Sequence, residues 1–203
     1  QGERLYFLQG DAYYQMKQYS LATYPFERLQ KIYPRSAKAV EAAFLEAKSL
    51  YMQVPTYSVD QTYTYQALEK LQYFMDRYSD SDYAKEANEL ILNLLTQLQK
   101  KEFEIAKQYD LIRDYQAAMK SLDNFLANNP GSVFREDALY TRLHSAYEWA
   151  INSVESKQKE RLDTAKEAYD TLLLAFPETK YKKEADNMLK KINTSLKSFT
   201  SQK

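Results

Sequence analysis

Cysteine is absent from the 203 residues, which excludes disulfides, thiol catalysis and thiolate metal sites. Glycine occurs three times and proline five, so there is little material for long irregular loops. Neither sign of charge is in excess: Lys and Arg number 28, and so do Asp and Glu. No global basic field therefore invites nucleic acid or an acidic membrane. No apolar run approaches the roughly 18 residues of a membrane-crossing helix, and no signal-type segment is present. Glycine-rich phosphate loops and serine elbows are missing as well. What is abundant is Ala, Leu, Glu, Lys and Gln, all good helix formers, together with 19 tyrosines.

One phrase recurs. Tyr33-Pro34-Arg35-Ser36 is followed by Glu41-Ala42, and Tyr78-Ser79-Asp80-Ser81 by Glu86-Ala87. Asn129-Pro130-Gly131-Ser132 precedes Asp137-Ala138, and Phe176-Pro177-Glu178-Thr179 precedes Glu184-Ala185. Pro34, Pro130 and Pro177 cannot continue a helix and push the preceding residue out of αR geometry. The Ser or Thr is then placed to cap the next helix, whose early acid suits the positive end of its dipole. Four such boundaries describe stacked helical hairpins.

The spacing within a hairpin is that of the tetratricopeptide repeat, a unit of about 34 residues whose small residues let two helices approach closely. Tyr6, Gly10, Tyr13, Ala22, Phe26 and Pro34 fall in its frame, with Tyr6 in place of the usual tryptophan and Gln9 in place of the usual leucine. The same frame collects Ala67, Leu71 and Ser79, then Ala118, Leu122 and Pro130, then Ala165, Tyr169 and Pro177. The predicted fold is all-α: one right-handed solenoid of tetratricopeptide hairpins over residues 1–203, with about nine helices. Its repeats run 3–36, 37–81, 82–132 and 133–179, and a helix over 181–198 caps it with few apolar residues on its outer side.

The repeats are longer than the standard unit, and the sequence indicates where the surplus goes. Val54 to Gln61 reads as a loop inserted between two helices, and 82–110 as a single helix of 28 or so residues with no breaker. Asn152–Glu160 reads as a polar stretch between the fourth pair of helices. Pro25 falls inside a predicted helix, where it would cost about 3 kcal/mol, so that helix is expected to begin near Ala22 or to kink.

Candidate functional residues are few. His144, the only histidine, is expected to pack where one helix meets its partner, and no carboxylate cluster stands beside it at metal-ligand spacing. No cofactor, metal or catalytic residue is expected. Tyr13, Tyr51, Tyr109 and Tyr147 share one repeat position and are expected in the core with their hydroxyls at the rim. Phe7, Tyr14, Tyr57, Tyr63 and Tyr65 are the candidate peptide-binding set, because aromatic side chains give large contact area for little lost rotamer entropy. Arg142, Trp149, Lys157, Lys182, Lys183 and Lys190 form a candidate docking face at the other end. From Lys180 to Lys203 seven lysines face only Glu184 and Asp186, which suits a solvated cap or an acidic partner.

The hairpins, the inserted Asp60-Gln61-Thr62, the long helix and Asn152-Ser153-Val154-Glu155-Ser156-Lys157-Gln158 together resemble the BamD family of outer-membrane assembly lipoproteins, most closely its Bacteroidetes-type members. The resemblance covers residues 3–198. It implies a non-enzymatic scaffold on the periplasmic face of the outer membrane. Its expected partners are the periplasmic domains of the barrel insertase and unfolded outer-membrane proteins carrying a C-terminal targeting strand. It also implies a lipid-anchored cysteine and a first repeat, which have no counterpart here, so an N-terminal piece is expected to be missing. Pro25 departs from the family's usual aromatic residue. The competing expectation is a periplasmic tetratricopeptide coordinator of cell-wall processes, which would lack Asp60-Gln61-Thr62. A chaperone-tail adaptor would require lysine and asparagine where Phe7 and Asp11 stand.

Overall fold

The computed structural model describes residues 1–200, with the side chain of Thr200 excluded; Lys203, counted in the lysine-rich stretch, lies outside the described residues. Among the described residues there are nine helices and no strand. They are α1 (Gly2–Gln15), α2 (Tyr19–Ile32), α3 (Ala39–Tyr51), α4 (Thr62–Tyr78), α5 (Ala84–Leu111), α6 (Tyr115–Asn128), α7 (Arg135–Ile151), α8 (Glu155–Ala175) and α9 (Lys182–Thr200). The chain divides into two compact units, Gln1–Leu98 and Gln99–Lys203, so α5 contributes its first part to one and its last part to the other.

Each predicted boundary is a connector of one design. Ser36, Ser81, Ser132 and Thr179 donate their backbone N–H to the carbonyls of Tyr33, Tyr78, Asn129 and Phe176, and their own carbonyls accept from Ala39, Ala84, Arg135 and Lys182. The hydroxyl does not cap the helix directly, as the sequence had suggested. Ser36, Ser132 and Thr179 instead accept from the amide two residues on, at 3.1–3.2 Å, and so shape a turn just ahead of the helix. The caps themselves fall at Lys38 and Phe134 before α3 and α7. Ser81 is the exception, its Oγ buried with no partner. Glu41, Glu86, Asp137 and Glu184 all lie in a first helical turn, where an acid suits the dipole.

The small residues of the frame are the closest-packed points. Ala22, Ala67, Ala118 and Ala165, and likewise Ala42, Ala87, Ala138 and Ala185, are fully buried. In the first unit Phe26 and Leu29 of α2 pack on Ala39 and Ala42 of α3, with Tyr6, Phe7, Tyr13 and Tyr14 of α1 against them. Phe44 and Ala47 of α3 pack with Leu71 and Phe74 of α4 and with Leu90 and Leu94 of α5. In the second unit Phe103 and Ala106 of α5 meet Leu122 and Phe125 of α6 and Ala138 of α7. Leu143 and Ala146 of α7 meet Leu162 and Leu172 of α8 and Met188 and Ile192 of α9. Each such Phe or Leu contributes about 1.5–3 kcal/mol by leaving water.

The turns α1–α2 and α5–α6 are three residues long and closed the same way. Lys17 N bonds Tyr14 O and Gln18 N bonds Tyr13 O; Arg113 N bonds Asp110 O and Asp114 N bonds Tyr109 O. This pairing requires a left-handed residue after the helix. Lys17 (φ 58°) and Arg113 (φ 65°) supply it, and no glycine does.

Three expectations are corrected. First, α2 starts at Tyr19, well before Ala22, and carries the buried Pro25 inside it; the packing of Ala22, Phe26 and Leu29 holds the helix across the missing N–H. Second, Asn152–Glu160 is not a linker: only residues 152–154 are, and α8 begins at Glu155, so the fourth repeat's surplus is helix. Third, among the four equivalent tyrosines Tyr147 is buried, whereas Tyr109 is exposed on α5. The 28-residue α5 and the inserted loop before α4 are as predicted.

Candidate functional site

In the first unit the inserted loop is organised by Gln61, which is 5% exposed. Its Nε2 donates to the carbonyls of Thr56 and Val59, each at 2.9 Å. Its Oε1 accepts from Thr64 Oγ1 at 2.8 Å and from Gln97 Nε2 at 3.0 Å, and Gln97 also donates to Pro55 O at 2.7 Å. The loop is thereby tied to α5, and Asp60 Oδ1 accepts from Thr62 N at the start of α4. A buried amide with every polar atom engaged fixes a loop.

The candidate peptide-binding residues fall into two groups. Phe7 and Tyr14, seven residues apart on α1, meet Lys38 at the cap of α3 and Lys48 within it. Lys38 Nζ lies 4.6 Å from the centre of the Phe7 ring, whose edge contacts Phe26. Tyr14 packs edge-on against Tyr19 and lies close enough to Lys48 to feel its charge; Lys48 forms an ion pair with Glu86 at 2.6 Å. Burial opposes the charge of Lys48, but the bond to Glu86 and the nearby charges outweigh it and leave its pKa above the usual value. Tyr57 is half-buried in the loop, and Tyr63 and Tyr65 are exposed on α4, either side of the fully buried Thr64. Two positions along a helix point apart, so Tyr63 and Tyr65 do not share one face.

In the second unit the main feature is an open cleft of about 770 Å³. Asp110 and Leu111 of α5, Arg113 of the turn and Tyr115 of α6 line it, facing His144, Glu148, Trp149 and Asn152 around α7, with Arg161 of α8. His144 does meet a neighbouring helix, as the repeat frame suggested, but through a polar contact to α5 at the cleft and not in the apolar core. It is half-buried, its Nδ1 3.0 and 3.1 Å from the two carboxylate oxygens of Asp110, while Ser145 Oγ donates to Oδ1 at 2.6 Å. The bond to Asp110 raises the His144 pKa against the opposing effect of burial. Burial would raise the Asp110 pKa, but the bonds from His144 and Ser145 prevail and hold it below the ordinary carboxylate value. Arg161 lies over the Trp149 ring at 3.9 Å and donates to Ser153 Oγ at 2.5 Å.

Of the predicted docking residues the cleft takes in only Trp149. Arg142 is bound to Asp123 of α6 through Nε and Nη2. Lys157 lies 3.9 Å from Glu160 and Lys182 3.5 Å from Asp186. Lys183 and Lys190 are exposed on α9, whose Met188 and Ile192 face the core. Sequence reasoning missed Asp110, Arg113, Tyr115, Glu148 and Arg161. The signal available was the spacing of His144, Glu148 and Asn152, which puts three polar side chains on one face of a helix end. Among the described residues no group of three or more His, Cys, Asp or Glu is placed to hold a metal ion.

Hairpins in one repeated frame, with a pinned loop in the first unit and an open polar cleft in the second, define a tetratricopeptide-type helical protein. Comparison with known proteins is specific: residues 9–120 and 112–199 match the family described as Outer membrane lipoprotein (YfiO), and the chain belongs to it. A relative from Caulobacter vibrioides (strain ATCC 19089 / CIP 103742 / CB 15), the "Outer membrane protein assembly factor BamD", is 32% identical over 144 residues, 71% of this chain and 47% of that protein. The chain thus spans about half the length of the curated relative it matches.

Proposed function

We propose that this chain is a non-enzymatic scaffold for outer-membrane protein assembly, held at the periplasmic face of the outer membrane by a lipid anchor. In this reading residues 1–203 act as one array. The first repeats receive the C-terminal targeting strand of unfolded barrel proteins, and the last repeats dock on the periplasmic domains of the barrel insertase. The match to the outer membrane lipoprotein family over residues 9–199 carries the reading. The geometry supports it in two ways. The half-exposed Phe7 and Tyr14, backed by Lys38 and Lys48, suit a peptide ending in an aromatic residue and a carboxylate. Trp149, with its ring already stacked by Arg161 at the cleft, is a pre-positioned anchor for a larger partner. In this reading Arg142, Lys157, Lys182, Lys183 and Lys190 add charged contacts to the insertase, and Tyr57, Tyr63 and Tyr65 add aromatic contacts to the substrate, Tyr63 and Tyr65 from different faces of α4.

Calorimetric titration against a soluble insertase domain and against an aromatic-ended peptide tests this. Phe7→Ala with Tyr14→Ala is expected to weaken the peptide alone, and Trp149→Ala the insertase domain alone, while circular dichroism stays that of a helical fold. Binding of neither partner by the unaltered chain overturns the reading. Equal losses in both variants remove the division of labour.

A further inference from the structure

The second-unit cleft contains a titratable pair joining elements far apart in sequence. Asp110 stands at the end of α5 and His144 in the middle of α7, and this pair with Ser145 makes the polar contact between those elements at the cleft. The backbone carbonyl of Asp110 also accepts from Arg113 N, so the residue that grips α7 through its carboxylate anchors the left-handed turn through its carbonyl. Arg113 lines the cleft. Whatever changes the hold of His144 on Asp110 therefore acts on the position of a cleft-lining guanidinium.

We propose that Asp110 and His144 form a proton-operated tie: with the ring charged, the end of α5 and the Arg113 turn are held against α7, and with the ring neutral that hold loosens while the cleft loses one positive charge. The titratable and charged groups that line the cleft with the ring are Asp110 from α5, Arg113 from the α5–α6 turn, the neutral Tyr115 from α6, Glu148 from its own helix and Arg161 from α8. None of the described residues of α9 lines the cleft; Lys191 lies over Tyr147 instead. With the ring charged, the three cations exceed the two carboxylates by one; with it neutral, they balance.

The chemistry of the neutral ring makes this a loosening rather than a release. A proton on Nδ1 keeps the hydrogen bond to the ionised Asp110 but removes the cation from the donor side, so the ion pair is lost. A proton on Nε2 turns a lone pair toward the carboxylate, leaving Asp110 to Ser145 alone. The direction follows from linkage. The His144 pKa is raised on folding, so its contribution is complete below the ordinary value near 6.5 and is lost as pH rises through the higher folded value. The Asp110 pKa is lowered, so its contribution is present above the ordinary carboxylate range and is lost only as pH falls through the depressed value. The tie is complete between these limits and weakens on the alkaline side.

Because His144 is the only histidine, its ring resonances report the titration without ambiguity. The test combines that titration with amide hydrogen exchange over 108–116, corrected for intrinsic rates, from pH 5.5 to 8.5. The unaltered chain is expected to show opening of this segment rising roughly twofold to fivefold as the ring loses its proton, the scale of one partly exposed charge pair. In His144→Gln, which keeps a donor without a charge, the opening should be flat with pH. In Asp110→Asn the ring should titrate at a lower pH than in the unaltered chain. Opening that does not follow the ring in the unaltered chain overturns the proposal, as does an unchanged pH profile in His144→Gln. Should Asp110→Asn fail to fold, the other two proteins decide. No partner protein is needed, so the result stands apart from the proposed scaffold role.

Discussion

The first hairpin with its following helix, and the pair formed by the end of α5 and α6 with α7, are two versions of one design set 96 residues apart in the chain. Gly10 corresponds to Ala106, Lys17 to Arg113, Ala22 to Ala118, Phe26 to Leu122 and Leu29 to Phe125. Where they differ, they differ as matched pairs. A Cβ on Gly10 would sit 2.6 Å from the Phe26 ring, so glycine and phenylalanine go together, whereas the smaller Leu122 faces an alanine. Phe7 is half-exposed under Lys38; its counterpart Phe103 is buried and stacked on Phe134, the counterpart of Lys38. Tyr14 with Lys48 becomes Asp110 with His144. The backbone plan is kept and the side chains are exchanged in complementary couples. The first unit thereby leaves its aromatic rings half-exposed, and the second closes that position and opens a cleft instead.

The largest expected effect tests the closed position. Phe103→Ala should cost about 3–5 kcal/mol, as for a buried phenylalanine, against about 1 kcal/mol for Phe7→Ala, in urea unfolding followed by circular dichroism. Equal costs would break the contrast between a sealed and an open ring. Next in size, Gly10→Ala should destabilise by about 1–3 kcal/mol through overpacking, despite the roughly 1 kcal/mol better helix propensity of alanine. Adding Phe26→Leu should make the pair markedly non-additive, recovering part of the loss by recreating the Ala106–Leu122 couple. Strict additivity would show that the couples are coincidental. The smallest effect concerns charge. The unaltered chain should lose stability, by about 1 kcal/mol or less at this half-exposed site, as pH rises above 6.5 and His144 loses its proton. His144→Lys, which installs the first unit's cation, should abolish that slope between pH 6 and 8, because lysine stays charged there.

Much of the fold was legible because its signals are local. A hydroxyl, an acid and an alanine at fixed offsets mark each connector, and an unbroken apolar rhythm marks α5. The connectors' geometry was not legible, since an accepting hydroxyl can cap a helix or shape the turn before it, and only the backbone bonds of Ser36, Ser132 and Thr179 decide. Pro25 misled as to where α2 begins, because its local penalty is outweighed by the burial of Ala22, Phe26 and Leu29. The cleft was the least legible part. His144 and Asp110 lie 34 residues apart, and nothing in either neighbourhood names the other. Tyr63 and Tyr65 were grouped by residue type, although their spacing already implied opposite directions.

The two left-handed turns have a consequence for the ends of the helices they follow. A side chain in that conformation costs on the order of 1 kcal/mol, and glycine would avoid it. This chain instead places Lys17 and Arg113 there, just past the carbonyl ends of α1 and α5, where a cation offsets the partial negative charge of the dipole by about 0.3–1 kcal/mol. Each turn thus carries a fixed positive charge that a glycine turn would lack. At Arg113 that charge faces the cleft, so the bend of the backbone and the polarity of the cleft are set by one residue and cannot be altered separately.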